Sequence, residues 1–315
     1  MKKIFLPGVL ILNFLFLILN CFAQQLPLTN QFTVNKFSLS PAYAGTGDGF
    51  QIFGTYRNEW VGVSGAPETK IITADGMIFK NMGLGGSISS IDAGIFRNQS
   101  ASFSYAYHAK LGAAQTLSFG LSLGLLDSYV DVTGPAAQSD PVAANNQNIN
   151  SMVLDGGFGI LYRCKNFRAA VSLPRMLNSK IKNADGKTAY TLATQQQVDI
   201  GYKYSFNPDW TIDPSIRISM MLNNANTVFS LAVPIIYKQK VWLLPIFKNT
   251  SQALGIGGIL YNNFIAQYTY EFSGGDVGQL GGTHEITIGW RMIASKKKSD
   301  VPAPDPKKPY YQWLK

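Results

Sequence analysis

Trp210-Thr-Ile-Asp-Pro-Ser-Ile-Arg-Ile-Ser-Met220 decides how this chain is read. Trp210, Ile212, Ile216, Ile218 and Met220 share one parity, broken only by Pro214. Thr211, Asp213, Ser215, Arg217 and Ser219 share the other. Side chains of a β-strand point alternately to opposite faces, so a period of two predicts a strand with one apolar and one polar face. The pattern recurs at 198–206, where Val198, Ile200, Tyr202, Tyr204 and Phe206 oppose Asp199, Gly201, Lys203 and Ser205. It returns at 264–272 and at 286–292, where Glu285, Thr287, Gly289 and Arg291 hold the polar parity, and 117–125 alternates Leu/Phe with Ser/Gly. Alternation alone leaves two architectures open: a soluble sandwich buries the apolar face, whereas a membrane barrel turns it to lipid.

Connection lengths separate the two. Fourteen strands are expected, starting near Phe50, Pro67, Met82, Asn98, Gln115, Asn150 and Asn166, then Ala193, Asp209, Asn226, Lys240, Ser251, Asn263 and Thr283. The even connections are tight, around Lys80-Asn81, Lys110-Leu111-Gly112, Arg163-Cys164-Lys165, Asn207-Pro208, Lys238-Gln239 and Tyr261-Asn262. Most odd connections are longer, notably 127–149, 174–192 and 273–282, although those near Asn223 and Asn249 are short. Short turns on one rim, long loops on the other and an even strand count match an outer-membrane barrel, with both termini on the short, periplasmic side. Aromatic residues gather near the tight turns (Tyr107, Tyr162, Phe206, Trp210, Tyr237, Trp242, Tyr261), as a membrane-interface belt requires. Asp199, Lys203, Asp213, Arg217, Glu271, Glu285 and Arg291 then face the lumen, where packing and hydration of the interior explain them better than ion selectivity.

Composition agrees. Only 14% of the 315 residues are charged, against about a quarter in an ordinary soluble domain. A hydrophobic content of 46% with abundant aromatics excludes disorder, and two cysteines cannot staple a chain of this length. Lys2 and Lys3 precede an apolar run over 4–22, and Cys21 and Ala23 supply small residues before Gln24, the layout of a cleaved signal peptide. A retained transmembrane anchor is the rival reading. The expected organisation is a signal peptide at 1–23, a periplasmic lead-in at 24–49, a barrel at 50–294 and a Lys/Pro-rich periplasmic tail at 295–315.

The tail carries six lysines against two aspartates, about half of the formal net charge of +9, and ends in Tyr310, Tyr311 and Trp313. It reads as a solvated segment or as a docking strand that offers those aromatics to a partner. Basic residues this local, on an exported chain, do not indicate nucleic-acid binding.

Little in the sequence suggests chemistry. His108 and His284 are the only histidines; by parity the first faces the lumen near the tight-turn rim and the second starts the last strand at the other rim. No carboxylate pair, metal spacing or phosphate loop stands out, so no catalytic residue, cofactor or metal is assigned. Gly83-Leu-Gly-Gly86 and Gly255-Ile-Gly-Gly258 fall in strands, where glycine more often marks a bend or a close backbone approach than a nucleotide site.

Three stretches carry a family likeness: Gln31-Phe-Thr-Val-Asn-Lys-Phe-Ser-Leu-Ser-Pro-Ala-Tyr-Ala-Gly45, Tyr56-Arg-Asn-Glu-Trp-Val-Gly62, and Gly65-Ala-Pro67. Ser104-Tyr-Ala-Tyr107, Leu117-Ser-Phe-Gly-Leu121 and Thr283-His-Glu-Ile286 follow in order. This succession resembles the PorP/SprF family of outer-membrane proteins from Bacteroidetes, associated with type IX secretion and gliding motility. The resemblance implies a role in export or surface retention of large adhesins and other cargo with C-terminal sorting domains, and no reaction. The partners it implies are type IX secretion or motility components and such a surface protein, besides outer-membrane lipid; a passive or substrate-specific pore is the alternative. Its motif residues are Pro41, Ala42, Tyr43, Gly45, Arg57, Glu59, Trp60, Gly62, Gly65 and Pro67. Pro41 and Gly45 would fix the lead-in as it approaches the barrel, Arg57, Glu59 and Trp60 would meet the first outer loop, and Gly65-Ala66-Pro67 would turn the chain back. They brace the first hairpin or touch cargo. Partner contacts are expected at Gly134, Asp140 and Asn145 in one long loop, at Arg175, Lys180 and Lys182 in the next, and at the tail aromatics.

Overall fold

The computed structural model describes residues 29–47, 49–132, 149–183, 185–221, 224–273 and 281–293. The wall is one antiparallel sheet of fourteen strands. Its first half is β1 (Gly49–Asn58), β2 (Glu68–Phe79), β3 (Met82–Ala93), β4 (Phe96–Gly112), β5 (Gln115–Val130), β6 (Ile149–Cys164) and β7 (Phe167–Leu173). Then come β8 (Gln195–Tyr202, continued by Tyr204–Ser205), β9 (Trp210–Ile212 and Ser215–Met221), β10 (Asn224–Ala232 and Ile235–Tyr237) and β11 (Val241–Lys248). Finally β12 (Ser251–Ile259), β13 (Phe264–Ser273) and β14 (Thr283–Ile293) complete it. Successive strands pair in order, and β14 returns to β1 with Ile293 opposite Gly49 and His284 opposite Asn58. The sheet is therefore a closed barrel with no free edge, the only form in which strands can cross a bilayer.

The alternation is inverted relative to a soluble protein. Outward residues such as Ile88, Leu123 and Ile256 are about 60% exposed, while inward Ser118, Thr287 and Glu285 are at most 1% exposed. An apolar exterior around a polar interior belongs in lipid. Asp199, Arg217, Glu271 and Glu285 are buried inside the wall, on the parity the sequence gives them.

The breaks within β8, β9 and β10 share a cause. Pro214 and Pro234 have no N–H to contribute to a ladder. Their carbonyls still accept from the neighbouring strand, Pro214 from Tyr202 N–H at 3.1 Å and Pro234 from Asp213 N–H at 3.1 Å, and Pro245 of β11 accepts from Val233 at 3.0 Å. Pro214 and Pro234 thus interrupt their strands, and Pro245 sits within an unbroken one, without opening the wall.

Several sequence expectations shift. β4 runs on to Gly112, so its tight turn is Ala113-Ala114 rather than Lys110-Leu111-Gly112. The third connection is only Gly94-Ile95, a further short odd connection. Trp242 does not join the interface belt: it faces inward, its indole N–H donating to Gln267 Oε1 at 3.1 Å. Residues 241–247 are apolar on both parities, so alternation there gives no direction. The remaining belt residues Tyr107, Phe206, Trp210, Tyr237 and Tyr261 are exposed.

The lead-in expected outside the wall also differs, for residues 29–47 lie within the lumen. Three short 3-10 turns, Gln31–Thr33, Lys36–Leu39 and Pro41–Tyr43, bury Phe32, Phe37, Leu39, Ala42, Tyr43 and Ala44 to 6% exposure or less. A polar barrel interior cannot pack on itself, and this segment supplies the apolar filling.

Candidate functional site: the filled lumen

The plug is held at both ends by buried charge. At the long-loop end Asn30 N–H donates to both Glu285 oxygens at 2.8 and 2.9 Å. Arg57, 4% exposed, reaches Glu271 at 2.9 Å, Glu285 at 3.3 Å and Glu59 at 3.1 Å, and Lys248 meets Glu271 at 2.9 Å. At the other end Gly45 N–H donates to Asp75 Oδ2 at 2.9 Å, and Arg291 Nη2 donates to the Val34 carbonyl at 2.7 Å. Between them Asn35 Nδ2 donates to Thr73 at 2.8 Å, Tyr43 OH to Asp199 at 3.2 Å and Ser172 Oγ to the Leu39 carbonyl at 3.0 Å. The Arg217 guanidinium lies 5.3 Å over the Phe32 ring, a cation–π contact in a desolvated site. The polar parity of the wall therefore serves largely to satisfy one buried segment.

Pro41-Ala42-Tyr43-Ala44-Gly45 rests on a floor of inward glycines. A Cβ at Gly120 would stand 2.2 Å from Ala42 N, and one at Gly83 would stand 2.0 Å from the Ala44 carbonyl oxygen. Ser40 Oγ caps this turn by accepting from Ala42 N–H at 3.3 Å, and Pro41 starts it, where a missing N–H costs nothing. Gly45 ends it at φ +71°, a conformation that glycine adopts without strain. His108 belongs to the same seat, with Nδ1 2.8 Å from Ser118 Oγ and Nε2 3.0 Å from the Ala44 carbonyl. His284 lies on the opposite face of the wall, 2.8 Å from Tyr268 OH, so the two histidines do not meet.

The first outer loop is tied back on itself. Glu59 N–H donates to the Pro67 carbonyl at 2.9 Å, Val63 to Trp60 at 3.0 Å, and Gly94 to Gly65 at 2.9 Å. Trp60, Gly62 and Gly65 all take positive φ. Of the motif residues, Pro41, Ala42, Tyr43, Gly45 and Arg57 thus converge on the plug, whereas Glu59 joins them only through Arg57. Trp60, Gly62, Gly65 and Pro67 shape the loop.

The long connection after β7 folds a hairpin, Lys180–Lys182 with Thr188–Thr191. Ile181, fully buried, packs with Leu192 and with the inward residues Leu126 of β5 and Ile149 and Val153 of β6. Lys180 and Lys182 are exposed beside it, but Arg175 is only 8% exposed and does not present its charge at the surface. Gly134, Asp140, Asn145, Tyr310, Tyr311 and Trp313 lie outside the described residues.

Sequence reading missed Asn30, Phe32, Asn35 and Lys248 as site residues. One signal was present: Gly83, Gly85, Gly120 and Gly159 occupy the polar parity, and a row of missing side chains inside a barrel marks the path of another segment.

A family model described as "Type IX secretion system membrane protein PorP/SprF" matches residues 21–290. No curated protein matches significantly. Among solved structures the chain is similar to the toluene transporter TbuX of Ralstonia pickettii, at 11% identity and a TM-score of 0.46, covering 81% of this chain and 93% of that one. It is also similar to the CymD monoaromatic hydrocarbon channel at 11% identity and a TM-score of 0.48, covering 84% and 92%. For the KdgM porin the values are 7% and 0.39, with 77% and 99% covered.

Proposed function

The chain belongs to the PorP/SprF family of type IX secretion system membrane proteins, and from that premise we propose that it assists export or surface anchoring of large adhesin-like cargo with C-terminal sorting domains, linked to gliding motility. One observation carries this over a passive or substrate-specific pore: the lumen is filled by residues 29–47 of the chain itself. A barrel that devotes its interior to holding its own segment offers rims rather than a channel. On this reading the signal peptide is cleaved before Gln24 and the tight-turn rim faces the periplasm and the secretion machinery. The long-loop rim then meets cargo through the loops spanning 127–149 and 174–192, where Lys180 and Lys182 stand exposed on an anchored hairpin. Binding residues on loops over a rigid scaffold suit that task. Tyr310, Tyr311 and Trp313 are proposed as a docking element on the machinery side. No catalytic role is proposed.

Quantifying the surface and secreted proteomes with and without the gene tests this. Loss of one or a few sorting-domain proteins supports a dedicated cargo partner, and loss of all supports a core component. An unchanged proteome overturns the secretion reading and returns the pore.

A further inference from the structure

Between the plug and the tight turns lies a cavity of about 1060 Å³. The plug contributes Lys36, and the wall contributes Lys110, Arg163, Arg168, Lys203 and Arg291. Three more lysines, Lys165, Lys238 and Lys240, belong to the turns. Among the described residues, nine basic residues therefore line this space against one carboxylate, Asp213, which is already paired with Arg168; Lys238 does so from the rim, its Nζ 5.2 Å over the Tyr237 ring. Among the described residues, buried Lys36 Nζ has no hydrogen-bond partner. Gly201 makes room for the Arg168 guanidinium, since a Cβ there would stand 2.3 Å from its Cζ. Concave walls of one sign and low dielectric focus the field and gather counter-ions.

We propose that this cavity is a docking site for an acidic peptide segment presented at the tight-turn rim by a partner protein. Charge excludes the chain's own end as occupant, because residues 295–315 carry six lysines against two aspartates. Lipid is excluded by position, since the space lies inside the closed wall. A single inorganic anion would leave most of the volume empty, whereas Val34, Tyr43 and Ile265 also line it and give apolar contact to a peptide. Recognition of acidic motifs by clustered arginines and lysines needs this combination. The inference does not depend on the cargo reading, and its test needs no secretion.

The full chain in lipid nanodiscs is titrated with a fluorescein-labelled octaglutamate peptide and read by anisotropy. Saturable binding that weakens with salt is expected, with a loss of about tenfold or more in K238E/K240E, whose exposed turn positions do not threaten folding. Lys203→Gln, inside the cavity, should weaken binding as well. No binding, equal binding of octalysine, or unchanged affinity in both variants would overturn the proposal. Binding of inorganic tripolyphosphate without binding of the peptide would also overturn it, leaving a small-anion site.

Discussion

Arg57 is the residue on which the plug's outer end depends. It reaches carboxylates 214 and 228 positions away in the chain, and its removal takes from Glu285, 1% exposed, its ion-pair partner among the described residues. Uncompensated buried charge of this kind costs about 3–5 kcal/mol. Arg57→Ala is expected to lower unfolding stability by that amount in urea titrations of lipid-reconstituted protein; a loss within the range of a surface ion pair, under about 1 kcal/mol, would contradict it. Lys36 gives a pH dependence. Burial, and then the nearby Arg168, lower its pKa from the ordinary lysine value of 10.5 to about 8. Below pH 8 the folded state carries the full cost of a buried ammonium; between about 8 and 10.5 the folded form is neutral while the unfolded chain still binds a proton, so stability rises with pH. Lys36→Met should therefore stabilise the barrel most at neutral pH, with the gain shrinking towards pH 10.5 in thermal melts. The motif placed Arg57 at a strand end and parity placed Glu271 and Glu285 inside, yet their meeting was not legible, because it is set by barrel closure rather than by local sequence.

At the scale of elements, strands were legible and the plug was not. A strand in a wall between water and lipid repeats every two residues, and 198–206, 210–220 and 286–292 fall where their alternation puts them. The segment 29–47 has no period to read, since each of its short turns meets a different part of the wall. Where both parities are apolar, as around Trp242, the rule loses its sense of direction. The hairpin after β7 was not legible because its two strands are only three and four residues long; Ile181 is its fully buried side chain, with Tyr190 packed beside it. Ile181→Asp should release it, so that trypsin cleaves the lipid-reconstituted protein at the exposed Lys180, Lys182 and Lys187 severalfold faster than in the unaltered protein. Equal cleavage rates would show that the hairpin is not anchored through Ile181.

For the whole molecule, inverted alternation and closure of β14 on β1 make a membrane barrel. The filling of its lumen distinguishes it from an open pore. Fold alone would not have decided this, since one architecture serves channels and scaffolds alike; in the wall sequence the inward Gly83, Gly85, Gly120 and Gly159 are the trace of the segment that fills the interior. Single-channel recording in planar bilayers tests the filled lumen directly. The unaltered chain is expected to give no steady conductance. Gly120→Val, which places a branched side chain where Ala42 N would be only 2.2 Å from its Cβ, should unseat the plug and open ion-conducting steps in folded, heat-modifiable barrels. Steady conductance from the unaltered chain, unchanged by Gly120→Val, would contradict the account.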